Sequence, residues 1–101
     1  MWVMVLFDLP TATKKERKYY TKFRDSLLDN AFEMAQFSVY VRHTNGKEAV
    51  QAVISKVKTK MPPAGKVDIL QFTDKQYENI ICLRGKGKSD SLKNPEQLVL
   101  F

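Results

Sequence analysis

The sequence is poor in the residues on which several kinds of site depend. Its 101 residues include one cysteine, Cys82, and one histidine, His43. A single cysteine excludes an intrachain disulfide and a cysteine-based zinc site, and it is typical of proteins in a reducing cytoplasm, where we expect this one. We expect Cys82 to be a small buried strand residue and His43 a surface residue at a strand end.

Long apolar runs and the common nucleophile motifs are also missing. No apolar segment approaches the roughly 20 residues of a membrane-spanning helix, and no basic region precedes the apolar N-terminus as in a cleavable signal. The sequence has no Gly-x-Ser-x-Gly motif and no Gly-rich phosphate loop followed by Lys-Ser or Lys-Thr. We therefore expect no membrane partner and none of the usual serine or cysteine mechanisms.

Acidic residues are scarce beside the basic ones. The chain has 17 Lys and Arg against 11 Asp and Glu, which gives a net charge of +6. An excess of this size favours an anionic partner, most commonly nucleic acid. At this length the chain forms one domain with a small core, which burial of a further apolar face in a dimer would enlarge.

The first half of the chain predicts a strand, a helix and two further strands. Residues 1–7 are all apolar and predict a buried strand, which Pro10 ends. A capping box, Thr13 to Glu16, opens a helix that runs to about Asp29, with Asn30 as a left-handed stop. Two strands follow, at 32–34 and 37–42. In the second, Phe37, Val39 and Val41 alternate with Ser38, Tyr40 and Arg42, which predicts two distinct faces.

The second half predicts a helix and two more strands. Asn45 caps a helix that Pro62 and Pro63 end, and strands follow at 67–72 and 80–83. The order β-α-β-β-α-β predicts an α+β, ferredoxin-like sandwich in which two helices cover one face of an antiparallel sheet. The other face is open, and Tyr40 suggests that something covers it. We assign residues 1–83 to this domain and 84–101 to a basic loop and an apolar tail.

The first predicted helix carries the densest group of cations. Its basic residues lie opposite its apolar arc, which permits two interpretations: a solvated helix face, or a stripe that binds phosphates without reading bases. The scarcity of acids favours the second, since ordinary surfaces mix both signs. The residues that we predict to contact nucleic-acid phosphates are Lys14, Lys15, Arg17, Lys18, Lys22 and Arg42.

Asp8 is the candidate for chemistry. It lies where the buried first strand meets a loop, and it is either a turn-forming residue or a metal ligand. One carboxylate is a poor site for Mg²⁺, which takes one or two carboxylates together with phosphate oxygens and waters. In a homodimer whose two copies of Asp8 face each other, the pair shares one ion and supports phosphodiester hydrolysis. Residue types alone leave both interpretations open.

Three segments together resemble a known family. The strand end FDLP at 7–10, the block AQFSVYVR at 35–42 and the stretch DILQFTDKQYENI at 68–80, with the basic first helix, are similar to the small CRISPR-associated adaptation proteins of the "Cas-two" family. The similarity is greatest to members that accompany type II systems. It covers nearly the whole chain except residues 84–94, which do not align.

The resemblance implies a fold, an assembly and an activity. Members have a ferredoxin-like fold and form homodimers through the open sheet face, and the last strand and tail of one subunit commonly pair with the other. The dimer lies between two dimers of the CRISPR integrase and holds a DNA duplex. Members are also described as metal-dependent endonucleases on RNA or duplex DNA, with the strand-end aspartate, here Asp8, as the shared Mg²⁺ ligand. The residues that correspond to the docking tail are Leu98, Val99, Leu100 and Phe101.

Two hypotheses therefore stand. In the first, the protein is a DNA-binding structural subunit of a spacer-integration complex, and nuclease activity is secondary. In the second, it is a free-standing, magnesium-dependent endonuclease of toxin-like type. An RNA-recognition motif shares the strand order, but residues 37–42 lack its glycine-aromatic pattern.

Overall fold

A computed structural model describes residues 1–85 of the chain. The elements are β1 (Trp2–Asp8), α1 (Lys14–Asp29), β2 (Glu33–Gln36), β3 (Val39–His43), α2 (Lys47–Thr59), β4 (Lys66–Phe72) and α3 (Asp74–Glu78). The four strands form one antiparallel sheet in the order β2-β3-β1-β4. This arrangement confirms the predicted ferredoxin-like α+β fold.

Both ends of α1 follow the prediction, whereas the conformation of Asn30 and the residue that caps α2 do not. Thr13 Oγ1 accepts a hydrogen bond from the amide of Glu16 at 3.1 Å, and Glu16 Oε1 accepts one from the amide of Thr13 at 2.9 Å. At the other end, Asn30 is not left-handed, and Ala31 takes that conformation with a φ of 66°. The residue that caps α2 is Gly46, without a side-chain hydrogen bond, rather than Asn45.

The main core lies between the sheet and the two long helices. Apolar residues alternate along β1, so that Val3, Val5 and Phe7 all face the helices. Tyr40 belongs to this same cluster and is 3% exposed, so our interpretation of it as a sign of cover over the open face is wrong. The buried helical side chains that complete this core are Phe23, Leu27, Val50, Val53 and Val57.

The second face of the sheet is covered at one end by α3. Met4, Val39 and Val41 form a smaller buried cluster there, against which Tyr77 and Ile80 pack. The Trp2 ring stacks on the Tyr77 ring with centroids 3.8 Å apart. Because Trp2 begins β1 and Asp8 ends it, this cover lies at the end of the face remote from Asp8.

Polar contacts fasten α3 beside Trp2. Asp74 Oδ1 lies 3.0 Å from the amino group of Met1 and 3.3 Å from Nε2 of His43. The hydrogen bond from that amino group, together with the nearby His43, lowers the pKa of Asp74 below its usual value. His43 is an exposed residue at the end of β3, which confirms its predicted place.

Two expectations about the last described residues are wrong. Residues 80–83 do not form a strand, because Ile80 packs on the second face of the sheet instead of adding to its edge. Cys82 is exposed rather than buried in a strand. The predicted tail, Leu98 to Phe101, lies outside the described residues. Among residues 1–85, no helix has both the length and the apolar character that crossing a membrane requires.

Candidate functional site

Asp8 occupies the end of β1 and is exposed. In the antiparallel pairing of β1 with β4, Asp8 lies opposite Lys66, and Leu6 lies opposite Asp68. Alternate residues of a strand share a face. The side chains of Asp8, Lys66 and Asp68 therefore all belong to the second face of the sheet, at the end that α3 leaves uncovered.

Asp8 and Asp68 line one shallow cavity of about 350 Å³. Lys66 lies directly opposite Asp8 in the register, and its Nζ is 3.5 Å from Asp68 Oδ2. Within residues 1–85, no three His, Cys, Asp or Glu residues come together as a metal site. One chain thus contributes a pair of carboxylates and one cation here. The lining residues are Leu6, Phe7, Asp8, Phe37, Ser38, Val39, Lys66 and Asp68.

Gly65 allows the start of β4 to approach the backbone of Asp8. Its φ is +100°, a conformation that side-chain-bearing residues rarely adopt. A Cβ at this position would lie 2.9 Å from the carbonyl oxygen of Asp8 and 2.6 Å from Cδ2 of Leu9. Gly65 is therefore a positioning residue for the segment that carries Asp8.

We expect Gly65→Ala to destabilise the protein by about 1–3 kcal/mol, because the new methyl group meets main-chain atoms in a strained conformation. Chemical denaturation measures the change. Gly46→Ala is the matched control, since Gly46 also has a positive φ, of +145°, but nothing lies within 4 Å of its added Cβ. Equal losses in the two variants would mean that the close approach to Asp8 contributes nothing.

Phe37 lies at the rim of the same cavity, and the strand pattern misplaced it. The pairing of β2 with β3 shifts register between Met34 and Gln36, so that residues 37 and 38 form a turn rather than the start of β3. The side chain of Phe37 is 79% exposed instead of sharing a face with Val39 and Val41, which are buried. The next residue, Ser38, has a φ of +64°.

Hydrogen bonds from two elements hold this turn. The amide of Phe7 donates to the carbonyl oxygen of Ser38 at 3.1 Å. The hydroxyl groups of Ser38 and Tyr20 lie 3.1 Å apart and share a hydrogen bond. The Phe37 ring lies over the Tyr20 ring, with centroids 6.1 Å apart and planes 24° from parallel. The turn therefore fixes an exposed aromatic ring beside Asp8.

Five predicted phosphate-binding residues form a basic stripe along the exposed side of α1. The stripe starts six residues after Asp8, and its lysines make no ion pair with any described residue. Arg17 is also a structural residue, since its Nη1 donates to the carbonyl oxygens of Thr11 and Ala12 at 3.1 Å each. The residues of the basic stripe are Lys14, Lys15, Arg17, Lys18 and Lys22.

Arg42, the sixth predicted phosphate-binding residue, lies away from this stripe. Its Nη1 donates to the carbonyl oxygen of Asn30 at 2.7 Å, at the C-terminal end of α1. A cation at this end of a helix satisfies a free carbonyl and opposes the negative end of the helix dipole. The observed contact of Arg42 therefore serves the fold.

Comparisons with known proteins point to one family. The model of the family described as CRISPR associated protein Cas2 matches residues 1–80. A protein of Paracidovorax avenae named CRISPR-associated endoribonuclease Cas2 is 48% identical over 101 residues, which cover 100% of this chain and 94% of that protein. A protein of the same name from Parvibaculum lavamentivorans is 41% identical over 100% of this chain and 100% of its own length. One from Flavobacterium psychrophilum is 40% identical over 100% of this chain and 88% of its own length.

Proposed function

The chain belongs to the CRISPR-associated Cas2 family, and from that premise we propose that it is a homodimeric subunit of a spacer-acquisition complex. In that role it binds duplex DNA and bridges dimers of the CRISPR integrase, and it retains a magnesium-dependent endonuclease activity at Asp8. Relatives that carry the name endoribonuclease support the endonuclease part.

The observation that carries the proposal is the basic stripe. Its lysines are exposed, share one side of a helix and have no acidic partner among the described residues. Such a surface attracts the regularly spaced phosphates of a duplex and contains nothing that distinguishes one base from another. Binding without sequence preference is what a subunit needs in order to hold captured DNA of any sequence.

The uncovered end of the second face supports homodimer formation. Leu6 is only half-buried at that end, and Leu70, on the same face of β4, is 38% exposed. We propose that a second copy covers these apolar side chains. This contact brings two copies of Asp8 to the same interface. The apolar tail, Leu98 to Phe101, is proposed to dock on the second copy or on the integrase.

The donor set suits magnesium bound together with a substrate phosphate. Mg²⁺ favours one or two carboxylates and takes its other ligands from water and phosphate oxygens, and each chain supplies one exposed carboxylate, Asp8. In the proposed dimer the two copies of Asp8 would supply the carboxylates that hold the ion. When bound, magnesium stabilises the negative charge that develops on a phosphodiester during hydrolysis.

Residues of β4 and the glycine before it would orient a substrate phosphate beside Asp8. Lys66 lies directly opposite Asp8 in the sheet and is exposed, so its ammonium group is available to a phosphate oxygen at the mouth of the cavity. Asp68, 3.5 Å from Lys66 Nζ, keeps this cation beside the site. Gly65 fixes the backbone that presents Asp8.

A second candidate function is that of a free-standing magnesium-dependent endonuclease on RNA or duplex DNA, and the name endoribonuclease that the relatives carry supports cleavage of RNA. The two functions differ in what they require of Asp8. We expect an Asp8→Asn protein to support spacer acquisition in cells while its cleavage activity is lost. Sequencing of newly acquired spacers measures the first and a purified cleavage assay the second. Loss of both together, with normal protein levels, would favour the free-standing nuclease.

A further inference from the structure

We propose that Phe37 is a positioning residue that stacks on an unpaired nucleobase while Lys66 contacts the adjoining phosphate, next to Asp8. This inference deepens the proposed endonuclease function and rests on it. The strand pattern assigns Phe37 to a packed sheet face, and no part of the proposed duplex binding uses it.

The turn that carries Phe37 maintains an unfavourable conformation. Ser38 adopts a φ of +64°, which is uncommon for a residue with a side chain. Its carbonyl oxygen accepts a hydrogen bond from the amide of Phe7, and its hydroxyl shares one with the hydroxyl of Tyr20; both hold Ser38 in this conformation. These hydrogen bonds restrain the main chain next to Phe37, and the ring of Phe37 itself lies over the ring of Tyr20.

The ring is backed on one side and accessible on the other. Tyr20 lies under it at a centroid distance of 6.1 Å, yet 79% of Phe37 is exposed. The Tyr20 ring itself contacts Phe7 in the core, with centroids 5.5 Å apart. A base that stacks on Phe37 thus extends a row of rings that begins in the core, and little side-chain freedom is lost on binding.

The surroundings supply what a nucleotide needs besides stacking. Phe37 lines the same cavity as Asp8 and Lys66. The volume, about 350 Å³, falls within the usual range of small-ligand sites. A base on Phe37 and its phosphate near Lys66 place the bond to be cleaved at the carboxylate. Bases in a duplex already stack on one another, so only an unpaired base can use the ring.

The experiment compares the binding of several nucleic acids by the full-length protein in EDTA, which prevents metal-dependent cleavage. The probes are a short oligoadenylate, its DNA counterpart, an oligoadenylate with one abasic position, and a DNA duplex. We expect Phe37→Ala to weaken oligoadenylate binding by roughly 5- to 150-fold, the usual effect of losing one base stack. Duplex binding should stay unchanged. When the missing base falls at the position that stacks on Phe37, wild type should bind the abasic oligoadenylate more weakly than the intact one, whereas the variant should bind both equally.

Three further variants distinguish base stacking from a general loss of apolar surface. Phe37→Trp should restore binding, whereas Phe37→Leu, which keeps an apolar side chain but has no ring, should not. Ile81→Ala removes a side chain of similar exposure, 76%, beyond α3, and should bind like wild type. Thermal melting and sedimentation of each variant report folding and oligomeric state. The ratio of RNA to DNA affinity shows which single strand is preferred.

Two results would overturn the proposal. Equal oligoadenylate affinity in Phe37→Ala and wild type is one. The other is a combined result: Phe37→Ala dissociates into monomers, and Phe37→Leu remains dimeric and binds oligoadenylate normally. That result would mean that Phe37 is a contact between copies of the chain. The binding readout separates this inference from the nuclease: if wild type cleaves nothing but Phe37→Ala still loses single-strand binding, only the endonuclease function fails.

Discussion

Replacing Asp8 by asparagine should lower magnesium-dependent cleavage by at least about 100-fold, because it removes the charged ligand from both subunits of the proposed dimer at once. Asparagine has nearly the same shape, and Asp8 is exposed at the end of β1, so the fold should be preserved. The measurement is the initial rate of cleavage at several magnesium concentrations, with circular dichroism and sedimentation to show that the variant remains folded and dimeric.

Two other carboxylates provide the comparison. Asp68→Asn should reduce cleavage by about 10-fold, since it acts on the site only through Lys66, to which its carboxylate is paired. Asp29→Asn removes an exposed acid at the last residue of α1, outside the cavity, and should cleave like wild type. Equal activity in Asp8→Asn and wild type would trace the cleavage to a contaminating enzyme and return Asp8 to the role of a turn residue.

The sequence predicted the elements that local signals control. The capping box at Thr13, the apolar run of β1 and the break at Pro62 are each determined by a few adjacent residues, and the structure has each element where these signals place it. The order of these elements then restricts the fold to a ferredoxin-like sheet. Asp8 could be singled out for the same reason, since a carboxylate directly after a buried strand is visible in the sequence.

The other cavity residues could not be found in this way, because they depend on register between distant strands. Asp68 is a neighbour of Asp8 only because β4 pairs with β1 as it does. Alternation along β4 predicts that Asp68 shares a face with Leu70 and Phe72, but not which β1 residue it adjoins. Phe37 was misplaced because the register shift beside Gln36 leaves residues 37 and 38 in the turn between β2 and β3, whereas Val39, Tyr40 and Val41 keep the predicted alternation.

Arg42 shows the limit of reading function from charge. Its sequence neighbours suggest a cation exposed on a strand, yet the structure places its guanidinium 2.7 Å from the carbonyl oxygen of Asn30. This contact joins the end of α1 to β3, two elements whose proximity depends on the fold. Composition reports how many cations the chain has, whereas only the packing shows which of them the fold already uses.

Neutralising the basic stripe should weaken duplex DNA binding strongly at low salt and progressively less as the salt concentration rises. We choose Lys14, Lys15 and Lys18 for replacement by alanine. Arg17 is left unchanged because its guanidinium also donates hydrogen bonds to the carbonyl oxygens of Thr11 and Ala12. Each phosphate contact that is lost removes about 0.9 from the slope of log K against log salt concentration. If all three lysines contact phosphates, the slope should become shallower by about 2.7 for any DNA sequence.

A matched triple variant separates local contact from total charge. Lys47, Lys56 and Lys75 lie on α2 and α3, so their replacement by alanine removes the same net charge without altering the stripe. Fluorescence anisotropy with one DNA duplex over a range of salt concentrations gives both slopes. We expect the control to keep the wild-type slope, because counterions are released only where a cation replaces them at a phosphate. Equal slopes in the two variants would mean that α1 is a solvated helix face and that duplex DNA binds elsewhere on the protein.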